Sequence, residues 1–190
     1  DIGAKIASHK SYLFASDSQT RQVLGRTTWP IINTTIPTIV HTRDLGSHLN
    51  TGKTIVGPTL TKRLVDADTT AYRIHHMHAP TAMTVDIINS KILAKGLYGC
   101  ETQPASVNKL AKLRTSITNT IATKSARRSV DLTLTHIAVN HKEVDPVAHI
   151  TYRRAALMRR TIAKYPETRQ QIHDILNHYN SLNIHGPEAH

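Results

Sequence analysis

Four short clusters in this chain have residue types that could do chemistry. Gly52-Lys53-Thr54 offers the glycine, lysine and hydroxyl of a phosphate-cradling loop. Such a loop needs four residues between its first glycine and the Gly-Lys pair, so that successive backbone N–H groups wrap a phosphate. Here Gly46 and Gly52 have five between them, and Gly57-Pro58 interrupts the helix that should begin at the lysine. Paired carboxylates holding two metal ions are the second possibility. In Phe14-Ala15-Ser16-Asp17 a serine stands where one carboxylate is needed, and Asp66 and Asp68, two apart on a helix, face nearly opposite ways. His75-His76-Met77-His78 offers two ligands at most, below the three or four that zinc requires, and reads as the polar end of a helix. The single cysteine, Cys100, lacks a recognisable histidine–carboxylate set and reads as a buried small apolar residue beside Gly99. It excludes an internal disulfide and a cysteine-based zinc site, and it fits a reducing compartment. The sequence therefore assigns no metal and no cofactor to these 190 residues.

Charge carries more information than any of these clusters. The formal net is +11, and between Lys91 and Lys164 fourteen Lys/Arg face four acids, a net of +10. A polyanion is the natural partner for such an excess, since each neutralised phosphate releases condensed counterions. Aromatic residues make up 4% of the chain, too few for a platform that stacks successive bases. Contact with the backbone of a duplex fits better. The arginine doublets Arg127-Arg128, Arg153-Arg154 and Arg159-Arg160 read as phosphate contacts, a nuclear-import element or surface charge. Neighbours on a helix diverge, so no doublet is expected to turn both members to one groove.

The elements that would position these residues follow from period and punctuation. Ser11–Ala15, Trp29–Ile32 and Ile36–Val40 read as strands, the last two at sheet edges because of Pro30 and Pro37. Ser16 or Asp17 caps a short helix through Gln22, Val23 and Leu24 that Gly25 ends. Gly46 sits at a turn or bulge, and Asn50-Thr51-Gly52-Lys53 is a second turn. From Pro58 the period becomes helical, with Leu60, Leu64, Ala67, Ala71 and Ile74 on one stripe. A second helix runs from about Ala82 to Leu97, its end bracketed by Gly96 and Gly99. Pro104 opens a third, with Val107, Leu110, Leu113 or Arg114, Ile117 and Ile121 inward. Val130, Leu132 and Leu134 alternate like a short strand. Pro146 and Pro166 open two further helices, and a polar tail frays from Asn180. The class is α+β: an N-terminal hairpin region (1–57), a three-helix bundle (58–123) and a basic helical extension (124–190). No apolar run reaches the length of a membrane helix, so no membrane contact is expected, and the reducing compartment that the single cysteine fits makes the expected setting intracellular, nuclear and/or cytoplasmic. The first residue is Asp rather than Met, which reads as a fragment or a processed product.

Arg43-Asp44-Leu45-Gly46 in a β-rich run, followed some fifty residues later by Leu97-Tyr98-Gly99-Cys100-Glu101, resembles the reverse transcriptases of non-long-terminal-repeat (LINE-type) retrotransposons. The resemblance spans about residues 2–121. Within it, Asp44, Leu45 and Gly46 look like the hairpin that grips the primer end, and residues 60–121 like the thumb. His9-Lys10-Ser11 is similar to the family's Asn-x-x-Lys-Thr/Ser element, with Ala7 in place of the asparagine. The resemblance makes Lys10 an accessory near the incoming triphosphate.

By that resemblance the parent protein is an RNA-directed DNA polymerase, active or a decayed copy. The fingers and the catalytic aspartates, which use Mg, lie upstream of this chain. The segment itself would position a primer and hold the RNA/DNA template–primer duplex without catalysing, partnered by the fingers and palm of its own polypeptide. A thumb helix lies along the minor groove of such a duplex, where an A-like hybrid is read by shape and backbone. Lys109, Lys112 and Arg114 are then the first candidates for phosphate contacts, and Lys91, Lys95, Lys124, Arg127 and Arg128 the second. Two rival readings from other classes are a non-enzymatic basic RNA- or DNA-binding module and a scaffold for an acidic protein.

Overall fold

The computed structural model describes residues 10–44, 47–51, 58–122, 125 and 127–181. The chain divides into two compact units, Asp1–Val56 and Gly57–His190, and its class is α+β. In the first unit, α1 (Ser18–Arg26) begins because Asp17 caps it. The backbone N–H of Thr20 donates to Asp17 Oδ1 at 2.7 Å, and hydrogen bonds from the Thr20 side chain and backbone hold the Asp17 carboxyl below its ordinary range. The helix runs one residue past Gly25 and closes with Thr27 N–H on the Leu24 carbonyl.

Two hairpins follow. β1 (Thr28–Trp29) pairs antiparallel with β2 (Thr34–Thr35). The run Trp29–Ile32, expected as a strand, is instead largely the turn between them. Pro30 presets one turn dihedral, and Asn33 takes the left-handed conformation at φ 49°, donating its N–H to the Trp29 carbonyl at 2.8 Å. The strands expected at Ser11–Ala15 and Ile36–Val40 shrink to one parallel bridge, Leu13 to Thr38, because Pro37 offers only a carbonyl. β3 (His41–Asp44) and β4 (Ser47–Asn50) form the second hairpin, in register from His41 opposite Asn50 to Asp44 opposite Ser47. Leu45 and Gly46, which join them, lie outside the described residues, as do Gly52 and Lys53 of the expected second turn.

The second unit is helical. α2 (Pro58–His75) buries Leu60, Leu64, Ala67, Ala71 and Ile74, the stripe its period predicts. α3 (Thr81–Ile87) passes through a π segment (Ile88–Leu93) into α4 (Ala94–Gly96), and Gly99, at φ 79°, turns the chain away. Gly96 lies against α2 so closely that a Cβ there would stand 2.7 Å from that of Ala67. α5 (Val107–Ile121) starts one turn later than Pro104 predicts, leaving Val107 78% exposed and Leu113 and Ile117 buried. Ser116 Oγ donates to Asp68 Oδ1 at 2.5 Å and Thr120 Oγ1 to the Ala71 carbonyl at 3.1 Å. Those pairs ascend together, so α2 and α5 run parallel and the stretch from α3 to α4 is their crossover.

α6 (Val130–Asn140) replaces the strand expected at residues 130–134. Ser129 caps it by accepting from Leu132 N–H, and Leu134 and Ile137, three apart, are buried while Leu132 is exposed. α7 (Pro146–Lys164) opens at Pro146 as predicted, with Asp145 accepting from Val147 N–H at 2.9 Å, and α8 (Thr168–Ser181) begins two residues after Pro166. Leu134, Ile137, Val144 and Ile150 share one core with α2 and α5. The boundary expected at 123/124 therefore falls inside a continuous hydrophobic unit.

Candidate nucleic-acid interface

The basic residues of the second unit separate by what their head groups touch. The chain after α4 has backbone carbonyls with no helical partner, the situation of any helix C-terminus. Three arginines supply the donors. Arg63 of α2 donates to the Tyr98 carbonyl at 2.7 Å and lies 4.9 Å over the Tyr98 ring. Arg153 donates to the Leu97 carbonyl at 3.2 Å and sits 3.6 Å from the Glu101 carboxylate. Arg154 donates to the carbonyls of Cys100 at 3.2 Å and Gln103 at 2.9 Å. Cations at that end also complement the helix dipole. The Leu97–Glu101 cluster is thus the anchor that fixes α7 to the crossover. Cys100 is fully buried there, and burial pushes its thiol up to about 11, which leaves no reactive thiolate at neutral pH.

Arg114, one of the first-choice phosphate contacts, is engaged internally. Its Nε and Nη2 donate to both oxygens of Asp145 at 2.9 and 2.6 Å, and Nη2 also reaches Asp131 at 2.6 Å. The Asp145 hydrogen bonds raise its pKa further above the ordinary arginine value. That one guanidinium joins α5 to the starts of α6 and α7. Arg128 donates to the Ala122 carbonyl and to Asn119 Oδ1, closing the end of α5. Lys112 pairs with Asp68 at 2.9 Å, an exposed cation on a largely covered acid. Lys142 pairs with Asp86 at the surface.

The remaining candidates face solvent. Lys91 in the π segment, Lys95 in α4, Lys109 in the first turn of α5 and Arg127 are exposed, with no side-chain ion pair among the described residues. Lys10 is also exposed, in the first unit. Asp44 ends β3, while Leu45, Gly46 and Lys124 lie outside the described residues. Asp66 and Asp68 diverge, Asp68 being held by Lys112 and Ser116. Tyr72, His75, His76, Ser116 and Asn119 line a cavity of about 260 Å³ between α2 and α5. Among the described residues no three His, Cys, Asp or Glu side chains converge as metal ligands, and no helix is long and apolar enough to cross a membrane.

The last doublet behaves unlike the sequence expectation. Arg159 and Arg160 both line one open groove of about 440 Å³ along α7. They lie about 100° apart around the helix, but Ala156 and Ala163 sit between them. The two long side chains therefore straddle a low floor. The signal available in the sequence was the small residues Ala155, Ala156 and Ala163 beside the doublet, not the doublet itself. Comparison with protein-family models, with curated proteins and with solved structures found no match to this chain.

Proposed function

We propose that this chain binds nucleic acid as a segment of a LINE-type reverse transcriptase, holding a template–primer duplex while the rest of the polypeptide supplies catalysis. One observation carries the reading. After the fold has engaged Arg63, Arg114, Arg128, Arg153 and Arg154 internally, Lys91, Lys95, Lys109 and Arg127 still present exposed charge. Exposed lysines are point charges suited to phosphates and carry no base information. Lys112 and Arg114 leave the first rank, because Asp68, Asp145 and Asp131 already neutralise them.

The β3–β4 hairpin, ahead of the helical unit in chain order, supports the primer-holding part of the reading. Among the described residues, Asp17 caps α1 and Asp68 bonds Lys112 and Ser116, so both carboxylates are engaged within the fold. In this reading the magnesium-dependent step is supplied by the rest of the parent polypeptide. Gel-shift titrations with RNA·DNA hybrids, one blunt and one with a recessed 3′ primer end, test the proposal. A primer-holding segment prefers the recessed end and extends nothing alone. Equal affinity for both hybrids favours the non-enzymatic basic module. Absence of binding to either removes the nucleic-acid reading.

A further inference from the structure

α7 has two faces with different tasks. Ile150 and the Arg153-Arg154 pair turn toward the core and the end of α4. Tyr152, Ala155, Ala156, Arg159, Arg160 and Ala163 line the open groove. Their spacing of three and four residues puts them on one side of the helix over three turns. Tyr152 is 74% exposed at one end of this stripe, and neither Arg159 nor Arg160 has a hydrogen bond or ion pair among the described residues. An exposed aromatic beside two unneutralised guanidinium groups is not required by the fold: none of the three enters the buried core.

The geometry points to a second nucleic-acid seat on α7, one that takes a single strand rather than a duplex; it rests on the nucleic-acid reading above. Arg159 and Arg160, on either side of the alanine floor, can each hold a phosphate of one strand passing between them. Tyr152 lies seven residues away, about 10 Å along the helix axis. At that separation its ring meets a base of the same strand, and a base is free to stack on it only when it is not already paired in a duplex. Scarcity of aromatics rules out a multi-base platform but not a single stacking position beside a charged groove. Charge complementarity selects the occupant, and the ring separates it from a duplex, whose stacked bases present only their edges.

Fluorescence anisotropy with a labelled U12 oligonucleotide and a blunt RNA·DNA duplex, using the whole chain, tests the assignment. Tyr152→Ala is expected to weaken U12 binding about tenfold, within the range of one base–aromatic stack, and to leave duplex affinity unchanged. Tyr152→Phe keeps the wild-type value. Arg159→Ala with Arg160→Ala lowers the slope of log affinity against log salt for U12 by about 1.4, or ~0.7 for each phosphate no longer neutralised. Wild-type U12 affinity in Tyr152→Ala, or an equal drop on the duplex, overturns the single-strand seat while leaving duplex binding through the lysines intact. Equal competition by a polyglutamate peptide overturns it in favour of an acidic protein. If neither oligonucleotide binds, both this seat and the broader reading fall.

Discussion

The two arginine doublets of α7 share a residue type and a helix, and they end in opposite environments. Arg153 and Arg154 are half-buried and donate to the carbonyls of residues 97, 100 and 103. Arg159 and Arg160, less than two turns further on, are exposed above an alanine floor. The difference comes from what lies opposite. Near Arg153-Arg154 a helix ends ahead of Gly99 and leaves carbonyls that need donors. Beside Arg159-Arg160 the groove is lined by small side chains, and neither guanidinium donates to a carbonyl among the described residues. A basic doublet is thus not a motif in itself; the neighbouring backbone decides whether it builds the fold or stays exposed to solvent.

The strongest way to break this contrast is to remove each doublet in turn. Arg153→Ala with Arg154→Ala removes the charged donors to the Leu97, Cys100 and Gln103 carbonyls and is expected to cost about 3 kcal/mol or more of stability, taking charged hydrogen bonds at roughly 1.5–3 kcal/mol each. Arg159→Ala with Arg160→Ala should stay within about 0.5 kcal/mol, as for surface sites generally. Urea midpoints measure both. Similar destabilisation by the two replacements would erase the distinction.

A smaller effect sharpens the inner side of the comparison. Burial, helped by the Glu101 carboxylate and opposed by Arg153 and Arg154, raises the Cys100 thiol from 9.0 to about 11. Between those values the folded protein keeps a proton that the unfolded chain has released, so stability falls as pH rises through this window. Subtracting the profile of Cys100→Ala removes the contribution of tyrosines and lysines titrating in the same range. The difference should decline with pH between about 9 and 11. A flat difference would mean that the thiol is not held in a sealed site.

Local pattern made part of this architecture readable. The α2 stripe and the start of α7 at Asp145-Pro146 follow from residues a few positions apart. Alternation misled at residues 130–134, where Ser129 capping and the Leu134–Ile137 spacing favour a helix over the apparent strand. β-branched composition misled at Trp29–Ile32, where Pro30 and Asn33 set a turn. The candidate site was harder to read, for a physical reason. Arg114 finds Asp145 thirty-one residues away, and Arg154 finds Gln103 fifty-one away. No periodicity within one helix records such partners. Exposed lysines were legible as charge, but which cations the fold would consume was not.

The internally bonded arginines build the molecule, and under the proposed function the exposed lysines meet phosphate. The most direct measurement of that division is the affinity for an RNA·DNA hybrid across a salt series, for the wild-type chain and for Lys91→Ala with Lys95→Ala and Lys109→Ala. Each phosphate contact removed lowers the slope of log affinity against log salt by about 0.9 in a duplex. The triple replacement is expected to lower the slope by about 2 to 3 and to leave the urea midpoint unchanged. A slope identical to wild type would contradict the phosphate-binding role of these lysines.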